Sequence, residues 1–161
     1  MSHSSELNEM MVLLDTEAKP MYNENGHLKV NYIKNFDELE QTLDEHPNKQ
    51  LHLFVSSKIA FTDLLSKLHD KKQVKEIHIY GTIDTKLRVQ YPKIHYTFQK
   101  ANLNYYLHAV QMDNLATIGE SLKESNKGLA EHYFRLVSQT SEDLGQTELM
   151  NSNPNDGNNE H

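Results

Sequence analysis

The sequence predicts an α/β protein: a parallel sheet of about five strands followed by a helical hairpin. Three observations carry this expectation. Through residues 10–100, short β-branched and aromatic runs alternate with segments of helical periodicity, and strands separated by helices imply a parallel sheet covered on both faces. The strand runs are almost continuously apolar, as burial on both faces requires. Beyond residue 100 strand-like runs cease, and apolar residues recur only at helical spacing.

The elements follow in order. Residues 10–14 (MMVLL) form the first strand, closed by Asp15, and residues 27–34 (HLKVNYIK) form the second. Between them, residues 16–27 carry Pro20 and Asn25-Gly26 and make a poor helix. The first crossover is therefore a loop, or the first two strands pair differently. Residues 36–46 have apolar positions at 36, 39 and 43, with Asn35 as N-cap and Asp37 and Glu38 in the first turn. Pro47 and Asn48 end that helix. Residues 51–55 (LHLFV) are the third strand, and 59–69 a helix with Ala60, Leu64, Leu65 and Leu68 on one side. Residues 77–80 (IHIY), closed by Gly81, are the fourth strand, and 94–98 (IHYTF) the fifth. Residues 83–93 allow only a short crossover, because parallel strands need about a dozen connecting residues. Leu103, Tyr106, Leu107, Val110, Leu115, Ile118 and Leu122 mark helix across two segments. Asn126-Lys127-Gly128 makes a turn, and Leu129, Tyr133, Leu136 and Val137 form a second stripe.

The chain thus divides into a polar, disordered start (1–9), an α/β domain (10–100), a helical extension (101–144) and a disordered tail (145–161). The tail is rich in Asn and has no large aliphatic residue after Met150, too little apolar surface to offset its ordering entropy. Five strands in this layout match a flavodoxin-like or receiver domain with strand order 2-1-3-4-5.

Composition narrows the function classes. At 161 residues the chain suits one domain with an appendage. It has no cysteine, which removes disulfides, thiolate metal sites and cysteine nucleophiles. A net charge of -7 argues against a nucleic-acid or anionic-membrane partner. The first residues lack the basic-then-apolar pattern of a signal peptide. No apolar stretch reaches the roughly 20 residues of a membrane span, so a cytosolic location is expected. Glycine numbers only 6, and no GxGxxG, GxxxxGK[ST] or GxSxG occurs. No cofactor is therefore expected.

Four groups of residues are candidates for function. A receiver-type phosphorylation site needs carboxylates after the first strand, an acceptor Asp after the third, a Ser/Thr after the fourth and a Lys after the fifth. Here Asp15 with Glu17, Thr82 and Lys100 fill three of those positions, but the third strand ends in Ser56-Ser57. A hydroxyl cannot replace a carboxylate as acceptor of an acyl phosphate, so Asp15, Ser56, Ser57, Thr82 and Lys100 are read as a binding edge without catalysis. His52, His78 and His95 each stand second in neighbouring strands. A side-chain period of two places three imidazoles on one sheet face, a ligand type for zinc, copper or nickel. That row lies at the strands' N-terminal ends, opposite the edge where such sheets usually bind ligands. Glu38-Leu39-Glu40 has the Glu-x-Glu pattern of arginine ADP-ribosyltransferases, but it lies at a helix start, where acidic residues complement the helix dipole. Finally, residues 115–122 (LATIGESL) and 128–136 (GLAEHYFRL) resemble one tetratricopeptide repeat, with small residues Gly119 and Ala130 letting two helices approach. Tyr106, Leu122, Tyr133 and Phe134 are the candidate helical binding face.

The strings KVNYIKNF (29–36), LFVSS (53–57), IHIY (77–80) and YPKI (91–94), with AEHYFRL (130–136), resemble the receiver-like N-terminal domain of large invertebrate multidomain proteins. There the domain is followed by an arginine ADP-ribosyltransferase domain, tetratricopeptide repeats, or both. The resemblance covers roughly residues 10–140 and implies an α/β scaffold with a helical adaptor. This chain has no room for the transferase domain between the two pieces, and no catalytic residue carries over. The expected function is a non-enzymatic module that binds another protein. The alternatives are a member or fragment of an NAD-dependent transferase family and a metal-binding domain built on the His row.

Overall fold

The computed structural model describes residues 8–17, 19, 20, 22, 28–59 and 62–151. In chain order its elements are β1 Glu9–Leu14, β2 Asn31–Ile33, α1 Phe36–Glu45, β3 Gln50–Ser56, α2 Thr62–Asp70, β4 Val74–Tyr80, α3 Lys86–Gln90, β5 Ile94–Phe98, a 3-10 turn Lys100–Asn102, α4 Leu103–Leu122 and α5 Lys127–Asn151. The five strands form one all-parallel sheet in the order β2-β1-β3-β4-β5, a flavodoxin-like arrangement. The steps β2 to β3, β3 to β4 and β4 to β5 all run in one direction. Right-handed crossovers then place α1, α2 and α3 on one face. The step from β1 to β2 runs the other way, and the opposite face is taken by α4.

Side-chain alternation splits the core into two layers. Val12, Leu14, Leu51, Leu53, Val55, Ile77 and Ile79 pack with Leu39 and Leu43 of α1 and Leu64, Leu65 and Leu68 of α2. On the other face Met11, Leu13, Phe54, Tyr80 and Phe98 meet Leu103, Leu107 and Val110 of α4. The helix α5 packs along α4. Asn35 caps α1: its Oδ1 accepts the Glu38 N–H at 2.8 Å, and Glu38 Oε1 accepts the Lys34 N–H at 2.7 Å. Glu40 pairs with Lys71 at 3.5 Å. The Glu-x-Glu sequence therefore serves the helix start and a surface ion pair.

Several boundaries differ from the sequence expectation. β1 begins at Glu9, inside the segment expected to be disordered, and β4 begins at Val74 rather than residue 77. Both extensions add charged residues that a search for apolar runs passes over. Helix α2 starts at Thr62, after a turn at 57–59. The short crossover contains α3, a helix of 5 residues. Among the described residues, no helix connects β1 to β2. Helix α4 is a single element of 20 residues, not two segments. The turn lies at 123–126, where Asn126 Oδ1 accepts the Leu129 N–H at 3.1 Å, and Gly128 is inside α5. α5 runs on to Asn151, past the expected start of the tail at 145. Residues 1–7 and 152–161 of the expected disordered ends lie outside the described residues.

The close helix approach expected at Gly119 and Ala130 is present. Both are buried, and a Cβ at Gly119 would stand 2.9 Å from Cε1 of Phe134. Gly119→Val is expected to lower stability by about 1–2 kcal/mol through overpacking, measured as the urea midpoint. Gly145→Val is the control, because a Cβ there meets nothing within 4 Å. Equal shifts in the two variants would show that the approach of α4 and α5 is not the cause.

Candidate functional site

Polar side chains gather at both ends of the α4-facing side of the sheet. At the C-terminal edge, β1, β3 and β4 bring Asp15, Ser56 and Gly81 to one side. Asp15 is 5% exposed. Its Oδ2 accepts the Tyr80 hydroxyl at 2.6 Å, and its Oδ1 accepts the Glu17 N–H at 2.9 Å. Tyr32 donates its hydroxyl to the Asp15 carbonyl at 3.1 Å. Burial, and then the Asp15 carboxylate, push the Tyr80 phenol well above its ordinary pKa. Ser56 is buried and its Oγ accepts the Lys58 N–H at 3.2 Å. Ser57 is half-buried against Gly81, whose φ of 113° favours glycine and where a Cβ would collide with Ser57 Oγ. Thr82 and Lys100 are exposed. Of the five edge candidates, Asp15 and Ser56 therefore face inward and only Thr82 and Lys100 lie open.

At the opposite end, register decides what meets. His52 on β3 stands beside Met11 of β1 and Glu76 of β4, while His78 stands beside Phe54. The imidazoles are thus staggered rather than aligned, and a carboxylate sits between them. His52 Nδ1 lies 2.9 Å from Glu76 Oε1, and His52 Nε2 lies 2.6 Å from Glu9 Oε1. Lys75 Nζ is 3.2 Å from the same Glu9 oxygen. His78 Nε2 lies 3.3 Å from Glu76 Oε1. That distance is within reach, but the angle is not, and this fully buried nitrogen makes no hydrogen bond. His78 Nδ1 accepts the Tyr96 N–H at 3.3 Å.

The electrostatics separate the two imidazoles. Burial pulls the His52 pKa down, but its bonds to Glu76 and Glu9 outweigh this and raise it. With a carboxylate on each nitrogen, His52 is a doubly donating imidazolium. For His78 burial dominates over Glu76 and lowers the pKa, in keeping with the unprotonated Nδ1 that accepts the Tyr96 N–H. The hydrogen bond from His52, with the His78 ring nitrogen 3.3 Å away, holds Glu76 far below the usual carboxylate range. Burial works to raise Glu9, yet the His52 bond and charge, with Lys75, keep it lowered.

His95 is exposed, with its ring 4.2 Å from that of Tyr96 and 5.6 Å from that of His78. It stands at the wall of an open cleft of about 430 Å³, together with His52, Glu76, and Asp113, Asn114 and Thr117 of α4. Among the described residues, the nitrogen and oxygen donors that converge are those of His52, Glu76 and His78. Glu76 therefore takes the place that the sequence reading gave to His95. Alternation was the available signal: Glu76, His78 and Tyr80 fall on one side of β4, as Glu9 and Met11 do on β1.

The residues expected to make a helical binding face are packing residues. Tyr106 stacks on Phe98 at 4.2 Å and joins the sheet-facing core. Tyr133 is buried, while Leu122 and the Gly119-packed Phe134 are half-buried. No helix among the described residues is long and apolar enough to cross a membrane. The chain matches no protein-family model, no curated protein and no solved structure at a significant level.

Proposed function

We propose that the chain is a non-catalytic protein-binding module, a cytosolic pseudo-receiver with a helical extension. The observation that carries this reading is the closure of Asp15. Receiver chemistry needs open carboxylates at this edge, whereas here Tyr80 and the Glu17 N–H engage both carboxylate oxygens, and β3 ends in serines. A scaffold whose chemical edge is filled by its own side chains acts through its surface. The surface that supports this is the β5 side. Val89 on α3 is 84% exposed and Tyr105 on α4 is 48% exposed, and these two helices flank the edge strand β5. Arg88 donates to the His95 carbonyl of that strand at 2.8 Å, which disfavours addition of another strand and leaves contact to side chains.

The test is quantitative affinity capture from native lysate with the full chain and the double variant Val89→Glu, Tyr105→Glu. A reproducible partner retained by the wild type and lost from the variant is the expected result. Identical capture lists, or no partner above background, would overturn the reading.

A further inference from the structure

We propose that His52, Glu76 and His78 form a binding site for one divalent transition-metal ion, with Glu9 as the carboxylate behind His52. This goes beyond the protein-binding reading and rests on different residues. Three residues on adjacent strands converge: His52, Glu76 and His78 each offer a ligand atom within 4.8 Å of the others, and Glu76 Oε1 lies 2.9 Å from His52 Nδ1 and 3.3 Å from His78 Nε2. Ligands about 2.0–2.1 Å from a tetrahedral ion stand about 3.3 Å apart, so small side-chain shifts suffice. His78 Nε2 is a second, independent pointer, being a fully buried polar atom that faces Glu76 without a hydrogen bond. Two imidazoles and one carboxylate select zinc, cobalt, nickel or copper over magnesium or calcium, which prefer all-oxygen sites.

The surroundings fit as well. A metal-bound histidine usually gives its other N–H to a carboxylate, which fixes the ring and increases its basicity. His52 Nε2 and Glu9 Oε1, at 2.6 Å, have that relation. The two carboxylates, Glu9 and Glu76, balance the charge of a dication. The cleft walled by His52, Glu76 and His95 supplies a path from solvent and room for a water as fourth ligand. Binding releases the proton that His52 Nδ1 shares with Glu76. It also moves the His78 proton from Nε2 to Nδ1, at the expense of the long contact with the Tyr96 N–H.

The experiment is calorimetry of the full chain with zinc chloride, together with ring 15N spectra of the histidines. One-to-one binding is expected, weakened about 100-fold by Glu76→Gln or His78→Phe and about 10-fold by Glu9→Gln. His132→Ala, at an exposed histidine of α5, is expected to leave it unchanged. In the wild type the buried rings of His52 and His78 shift on zinc addition, and the His78 pattern changes from the Nε2–H to the Nδ1–H tautomer. The spectra decide the matter even if a site variant fails to fold. Absence of binding, binding insensitive to the Glu76 and His78 variants, or shifts confined to exposed histidines would overturn the proposal.

Discussion

His52→Ala is expected to lower the unfolding free energy by about 3 kcal/mol. The side chain is 3% exposed, and it joins three strands, because Glu9 belongs to β1 and Glu76 to β4. Removing the imidazolium leaves two carboxylates facing a void with no cation between them. Breaking a buried ion pair from one side costs about 3–5 kcal/mol. The lower end applies here, because the Glu9 and Glu76 side chains are 14% and 30% exposed and water reaches both. Lys75 also remains beside Glu9. The measurement is urea unfolding followed by circular dichroism, with a lowered midpoint at unchanged slope as the expected signature. A loss below about 0.5 kcal/mol would mean that the bridge behaves like an exposed ion pair.

The contrast between fold and site in what the sequence discloses has a physical origin. Strand runs such as residues 51–55 and 77–80 were legible because both their faces are buried, which leaves a mostly apolar run that needs no partner to be recognised. The order β2-β1-β3-β4-β5 is expected from the match of five alternating strands to the flavodoxin-like and receiver layout. Pro20 and Asn25-Gly26 argue against a helix after β1, and residues 18, 21 and 23–27 of that segment lie outside the described residues. The extension of α5 was not, because residues 145–151 (GQTELMN) carry too little apolar periodicity to separate a helix end from a polar tail. For the site, repeated histidines marked His52 and His78, but their partner could not be read. Whether His52 meets Glu76 or His78 depends on a register shift in the β3–β4 pairing next to His52, and a one-residue slip exchanges every neighbour. Tyr80 and Asp15 are 65 positions apart, and only the parallel packing of β1, β3 and β4 brings them together. Local periodicity therefore discloses elements, whereas a site spread over several strands depends on register.

Tyr80→Phe is expected to lower stability by about 2 kcal/mol at neutral pH, and the deficit is expected to shrink in alkali. The substitution keeps the ring, which is 2% exposed and packed in the α4-facing core, and deletes only the hydroxyl. Asp15 Oδ2 then loses its 2.6 Å donor in a buried setting, and a buried charged acceptor left without its donor costs about 1–3 kcal/mol. The pH dependence follows from the raised pKa of the phenol, caused by burial first and by the Asp15 carboxylate second. A group with a raised folded pKa contributes its full stability below its unfolded value, about 10 for tyrosine. That contribution falls as pH rises further, because the unfolded chain releases the proton first. The phenylalanine variant lacks this term, while every other tyrosine and lysine is shared. The gap in urea midpoint between wild type and variant should therefore be constant from pH 7 to about 9 and narrow above about 10. A gap that stays constant through pH 11 would mean that Tyr80 ionises alike in both states and that its hydroxyl is not held by Asp15. Closure of that carboxylate is also what the protein-binding reading depends on, so the same titration bears on the fold and on the proposed function.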